Sequence, residues 1–100
     1  MIRHILMFQL KADSKKEAVE AVKNAFLNID QKISGVSNIE WGELDPYVTR
    51  NKHYTHCVQM TFADASVREY YDPHPEHQAL KDIFLPIIED LVVFDYLLTA

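Results

Sequence analysis

The side chains of this sequence best suited to proton transfer are its five histidines, because imidazole titrates near pH ~6.5. His74 and His77 stand three residues apart, a spacing that places both on one face of a helix. A zinc site needs a third and a fourth ligand, and no other candidate stands at a typical spacing. We therefore expect no metal. His74 is predicted to begin a helix, and His77 is either a surface or pocket histidine or a general base.

Two further histidines, His4 and His56, alternate onto the apolar faces of two predicted strands. Burying an imidazole is costly unless it is hydrogen-bonded. Two interpretations stay open: the histidines are satisfied core residues, or they form a polar patch in a cleft between sheet and helices. Both strands are predicted independently and both turn the histidine toward the helices. This coincidence favours the cleft and makes His4 and His56 candidate substrate-binding residues.

Hydrophobic periodicity predicts the elements that position these side chains. Strands are expected over 2–10, 36–44, 54–62 and 91–98, and helices over 17–32, 67–71 and 74–90. Ser14 to Glu17 has the pattern of a capping box, Asp64 or Ser66 can cap the second helix, and Pro86 is expected to distort the third.

The order strand, helix, strand, strand, helix, strand predicts a ferredoxin-like, split βαβ fold of the α+β class, as a single domain over 1–100. Its four-stranded antiparallel sheet has the first and third strands in the middle and helices on one face. The other face carries Ile5, Met7 and Cys57 among polar residues. A second subunit is the natural cover for such a face, so we expect a homodimer.

Composition excludes several other classes of protein. The net charge is −5 and no basic run occurs, which disfavours nucleic acid and anionic membrane surfaces as partners. A single cysteine fits a reducing compartment. No signal-peptide pattern and no apolar run of about 18 residues is present. We therefore expect a cytoplasmic protein without a membrane partner.

Several segments, spread over nearly the whole chain, resemble one family in the right order. They are Arg3-His4-Ile5-Leu6, Trp41-Gly42, Tyr54-Thr55-His56, Met60-Thr61-Phe62, the run from Tyr70 to His77, and Val93-Phe94-Asp95-Tyr96. The sequence is similar in these segments to the stress-responsive dimeric A/B barrel (Dabb) domains. The resemblance implies a ferredoxin-like monomer whose sheet pairs with a second copy to form a dimeric α+β barrel.

The resemblance also implies candidate catalytic residues. One plant member of the family closes a polyketide chain by aldol chemistry without a metal or an organic cofactor, and its proposed catalytic pair matches His77 and Tyr71. A carboxylate matching Asp95 is available to orient the imidazole; its alternative role is purely structural. Phe26 stands where that cyclase has a tyrosine. We keep Phe26 as a substrate contact and do not carry over the cyclase's own substrate.

Three functions follow as alternatives. The first is a cofactor-independent acid/base enzyme, similar to polyketide cyclases or lyases, acting on a small apolar carbonyl compound. The second is a non-catalytic dimer that binds a small ligand or is associated with stress. The third, a cofactor-free oxygenase, has only the architecture in its favour.

Overall fold

A computed structural model describes residues 1–99, and Ala100, the end of the predicted domain, lies outside the described residues. Its elements are β1 (Ile2–Leu10), α1 (Lys16–Asn28), β2 (Val36–Glu43), β3 (His56–Phe62), α2 (Ala65–Tyr71), α3 (Pro75–Phe84) and β4 (Ile88–Leu97). The strands form one antiparallel sheet in the order β2-β3-β1-β4. This order confirms the predicted ferredoxin-like fold, with the first and third strands in the middle.

The alternation along β1 decides which side of the sheet is the core. Ile2, Leu6 and Phe8 are buried beneath the helices, and they pack with residues of α1 and α3 such as Phe26 and Phe84. Burying an aromatic or branched apolar side chain contributes about 1.5–3 kcal/mol. The core therefore holds β1 firmly, and with it the direction in which His4 points.

The predicted capping box at Ser14 is wrong. The first helix begins at Lys16 with Lys15 as its N-cap, and no side chain caps it. The Ser14 hydroxyl instead donates to the backbone carbonyl of Ile87 at 3.2 Å. The hydroxyl group that the local pattern assigned to the helix start is thus engaged in a tertiary hydrogen bond instead.

The third helix is shorter than the predicted 74–90. It spans Pro75–Phe84, a 3₁₀ turn follows over Leu85–Ile87, and β4 begins at Ile88. Pro86 lies in that turn, where its missing N–H and its ring end the regular helix. The outcome is a longer last strand, which pairs with the whole length of β1.

Three residues separate the end of α2 from the start of α3, and this short connection positions two of the predicted site residues. Asp64 caps α2, accepting hydrogen bonds from the backbone N–H groups of Ser66 and Val67, as predicted. His74 caps α3 by accepting from the backbone N–H of Glu76 at 3.0 Å, which agrees with the predicted helix start. Tyr71, at the end of α2, is thereby brought beside α3.

The face of the sheet away from the helices is open and partly apolar. Phe94 and Tyr96 of β4 are 59% and 41% exposed, and Met7 of β1 is exposed too. Arg3 lies on the same face and donates to the Thr61 hydroxyl at 2.5 Å. Within residues 1–99, no helix has both the length and the apolar character required to cross a membrane.

Candidate active site

A cavity with a volume of about 400 Å³ lies between the sheet and helices α2 and α3. Ligand pockets of small-molecule proteins begin at about 300 Å³. Its apolar lining comes from Leu6, Phe26, Phe62, Leu80, Phe84, Leu85, Leu91 and Val93. Its polar lining consists of His4, Arg68, Tyr71, Asp72, His77, Lys81 and Asp95. The polar groups thus stand against a largely apolar wall.

His4 and Asp95 form the shortest polar contact of this cavity. The two residues are directly opposite each other on β1 and β4, and His4 Nδ1 lies 2.6 Å from Asp95 Oδ1. A carboxylate oxygen accepts, so Nδ1 carries the hydrogen and Nε2 is the acceptor of the neutral ring. The other carboxylate oxygen lies 3.5 Å from Arg68 Nη1. Asp95 therefore bridges a histidine and an arginine.

His77 is oriented by backbone rather than by a carboxylate. Its Nδ1 lies 2.9 Å from the carbonyl oxygen of Asp72, and because a carbonyl only accepts, this nitrogen is the donor. Nε2 is left as the acceptor. Burial lowers the pKa of His77, and the hydrogen bond to the Asp72 carbonyl offsets part of that shift. The ring is therefore neutral near pH 7 and able to accept a proton.

Tyr71 lies between the two imidazoles. Its ring centroid is 4.2 Å from that of His77 and 5.9 Å from that of His4. Burial is the main cause that raises the pKa of Tyr71, with the Asp72 charge adding to it. The phenol therefore keeps its proton at all physiological pH values, and its hydroxyl is able to donate a hydrogen bond.

The structure brings four of the six predicted site residues fully into this arrangement, and a fifth as apolar wall. His4, Tyr71, His77 and Asp95 line the cavity, as does Phe26, whose ring is buried. The expected hydrogen bond between His77 and Asp95 does not form, because the Asp95 carboxylate is engaged by His4 and Arg68.

His56, the sixth predicted site residue, faces the helices as expected but lies elsewhere. It pairs with Phe8 on β1, four residues along the strand from His4. It stacks on Phe8 and contacts Trp41 edge-on, and it borders a separate depression of about 310 Å³. The prediction that His4 and His56 share one cleft is wrong, because the register puts them at opposite ends of β1.

Arg68, Asp72 and Lys81 line the cavity without having been singled out in the sequence. Arg68 precedes Tyr71 by three residues and Lys81 follows His77 by four, so helical spacing puts each cation on the face of a predicted site residue. That spacing was the signal available. Asp72 contributes its carbonyl, which no side-chain pattern reveals.

The side chains of residues 1–99 form no preformed metal site. Among residues 1–99, no group of three or more His, Cys, Asp or Glu side chains is arranged to hold an ion. His74 and His77 each use Nδ1 in a hydrogen bond with the backbone. Their spacing is explained by the helix start and by ring orientation.

The chemistry open to this arrangement is proton transfer beside an oxygen atom. Two imidazoles present acceptor nitrogens, and a neutral phenol lies between them. A carbonyl oxygen that received the Tyr71 hydrogen bond would gain stabilisation as negative charge developed on it. A histidine within reach could then remove or return a proton.

Comparisons with known proteins agree with this architecture. A family model described as Stress responsive A/B Barrel Domain matches residues 2–98. Olivetolic acid cyclase from Cannabis sativa is 24% identical over 95 residues, which cover 95% of this chain and 94% of that protein.

Two solved structures resemble the chain over nearly its full length. Hydroxynitrile lyase from Passiflora edulis gives a TM-score of 0.90 at 22% identity, covering 98% of this chain and 93% of that one. A dimeric ferredoxin-like protein from Thermobifida fusca gives a TM-score of 0.82 at 26% identity, covering 97% and 90%. Both structures share the fold of this chain over nearly its full length.

Proposed function

We propose that this chain, which belongs to the stress-responsive A/B barrel domain family, is a cofactor-independent acid/base enzyme of the cyclase or lyase kind acting on a small apolar carbonyl compound. The observation that carries the proposal is the convergence of His4, Tyr71 and His77 on one cavity. The family relationship to a cyclase adds support.

His77 is the proposed base. Its Nδ1–H is held by the Asp72 carbonyl and its pKa is lowered by burial, so the neutral ring presents Nε2 as a proton acceptor. It takes a proton from a carbon or hydroxyl next to the substrate carbonyl. Tyr71 donates its hydroxyl hydrogen bond to the carbonyl oxygen and stabilises the negative charge that develops there.

His4 is the second proton-transfer group in this proposal, and Asp95 is its positioning residue. The carboxylate fixes the ring through Nδ1 and stabilises the imidazolium that forms when Nε2 takes up a proton. This assignment differs from the expectation that Asp95 serves His77. It rests on the 2.6 Å contact between His4 and Asp95.

The cavity limits the size of the substrate. Its volume of about 400 Å³ lies at the lower end of the range of about 300–1,000 Å³ found for small-molecule sites. The apolar wall formed by Phe26, Leu80 and Phe84 favours a hydrocarbon portion. At Phe26 no hydroxyl is available, so the proposed substrate has no polar group that requires a partner there.

Deuterium exchange tests the proton abstraction itself. 2-Octanone in D₂O, followed by ¹H NMR, should lose its α-hydrogens faster with the protein than in buffer. His77→Ala should remove most of this acceleration, since a positioned base contributes on the order of 10²–10⁴-fold. Tyr71→Phe should lower it while keeping the ring, and His74→Ala is the control, expected to act on folding alone.

The exchange experiment also separates the enzyme from the binding module. If the ketone binds but exchanges at the buffer rate, the acid/base proposal fails and a non-catalytic ligand-binding dimer takes its place. Wild-type exchange rates in both His77→Ala and Tyr71→Phe would exclude the proposed roles of these residues.

The functional unit that we propose is a homodimer formed through the open face of the sheet. Phe94 and Tyr96 leave apolar surface in water on that face, and the similar Thermobifida protein is dimeric. Sedimentation at micromolar concentration should give a dimer, and Phe94→Lys should give a monomer. Ile83→Lys also replaces an exposed apolar side chain by lysine, but on α3, and should leave the dimer intact. A wild-type monomer would contradict the proposal.

A further inference from the structure

Two cations stand one helical turn from the two helix-borne groups of the proposed chemistry. Arg68 is three residues before Tyr71 on α2, and Lys81 is four residues after His77 on α3. Side chains at these spacings are neighbours, with about 5–6 Å between their Cβ atoms. Both cations line the same cavity as the groups they accompany, and the Lys81 charge is one cause that lowers the pKa of His77.

The carboxylates of the cavity leave Lys81 without a partner. Asp95 has one oxygen on His4 and the other near Arg68, and the side chain of Asp72 is 83% exposed. No carboxylate of residues 1–99 lies within 4.0 Å of Lys81 Nζ. The chain as a whole carries a net charge of −5, but Lys81 lines the cavity with no carboxylate partner among residues 1–99.

Arg68 is at the solvent side of the same space. Its side chain is 48% exposed, and within residues 1–99 its one ion-pair contact, to Asp95 at 3.5 Å, is a long one. A guanidinium has five N–H donors, so most of its hydrogen-bonding capacity remains available. An anionic group entering beside Lys81 can accept from Arg68 without displacing Asp95 from His4.

We infer that Lys81, assisted by Arg68, forms an anion subsite at the mouth of the cavity. The substrate class is then a short apolar carbonyl compound that carries a carboxylate. The carboxylate binds at the helix surface, the hydrocarbon lies along the Phe26 and Phe84 wall, and the reacting carbonyl is held near Tyr71, a few bonds away. This inference rests on the proposed function for the identity of the reacting group, but the subsite itself is a binding property.

The test compares two inert probes of equal chain length, octanoate and 1-octanol, by ¹⁵N–¹H NMR titration of the intact protein. Octanoate should bind about twofold to fivefold more tightly, the range for a partly exposed charged contact. Lys81→Met should remove this preference and leave the affinity for 1-octanol unchanged. Lys16→Met, the same charge change at an exposed position of α1, should keep it.

Charge reversal gives a second readout. Lys81→Glu should weaken the binding of octanoate and strengthen the binding of octylamine. A purely steric role of Lys81 predicts no such reversal of the preference between anion and cation. Equal affinities of octanoate and 1-octanol in the wild type, or loss of the preference in Lys16→Met, would overturn the subsite. Such a result would not affect the acid/base proposal, which deuterium exchange tests separately. The His77→Ala variant should still bind octanoate more tightly than 1-octanol, even though it no longer accelerates deuterium exchange.

Discussion

His4 and His56 occupy almost the same level of burial at two ends of the sheet, yet their surroundings differ. Their side chains are 14% and 15% exposed, and each stacks on a phenylalanine of the core, Phe62 and Phe8 respectively. His4 has a carboxylate at 2.6 Å, while His56 has the Thr55 hydroxyl at 2.8 Å and the largely exposed Glu43 at 3.8 Å.

The difference shows which features mark a histidine as chemically useful. Burial lowers the pKa of His56, and Glu43 offsets this only in part, so this ring is a neutral packing group. His4 combines the same burial with a charged partner and a place on the large cavity. A buried histidine is therefore a candidate for chemistry because of its partner and its access to a void, since apolar packing is common to both.

The largest expected effect is a contrast in activity between the two histidines. His4→Gln removes the proton-accepting ring beside Asp95 and should lower protein-dependent deuterium exchange of 2-octanone by on the order of 10²-fold or more. His56→Gln should change the exchange rate by less than about threefold, because His56 does not line the cavity. Equal losses in the two variants would erase the distinction drawn between them.

A contrast in stability should run the other way. His56→Ala removes a ring packed on Phe8 and Trp41, and the space left behind should lower the free energy of unfolding by about 1–3 kcal/mol. Urea denaturation measures this change. Tyr47→Ala, at a side chain exposed by 90%, is the control and should stay within about 0.5 kcal/mol of wild type. A His56→Ala protein as stable as this control would show that the ring does not support the core.

The smallest effect concerns pH. Burial lowers the pKa values of His56 and His77 in the folded protein, so below about pH 6.5 the unfolded chain binds more protons than the folded one. The free energy of unfolding should then fall as pH drops below that value and be fully recovered above it. Urea denaturation at about pH 5.5 and about pH 7.5 measures the free energy of unfolding below and above this value.

The His56→Gln variant separates the two contributions to this pH dependence. Because glutamine does not titrate, the difference in stability between the two pH values should shrink, and the remainder belongs to His77 and other titrating groups. An unchanged difference would mean that the folded protein binds a proton at His56 as readily as the unfolded chain does.

Local pattern was sufficient for the number and order of the strands and for the faces of their histidines. The bounds of β1 were predicted without error, and His4 and His56 were placed on the helix-facing side that they occupy. The pairing of Asp95 with His4 was not predicted, because it depends on the register between two strands 91 residues apart. Periodicity fixes a face within one strand but carries no information on which residues of a distant strand lie opposite.

The errors at the helix ends have a similar origin. Residues 85–90 have a pattern that fits a helix as well as a strand, and pairing with β1 selects the strand from Ile88 on. Ser14 has the residue type of an N-cap, but its hydroxyl bonds to Ile87. The orientation of His77 by the Asp72 carbonyl has no sequence signature, because every residue has a carbonyl group.

The pairing of β1 with β4 has a consequence for folding during synthesis on the ribosome. At about 5–20 residues per second, Asp95 is added roughly 5–20 s after His4. During that interval β1 lacks its neighbour on one side and the His4 ring has no carboxylate. Contacts this distant in the chain also slow folding after synthesis. The proposed catalytic apparatus is therefore completed last, and a nascent chain carries His4 for most of its synthesis without the carboxylate that orients it.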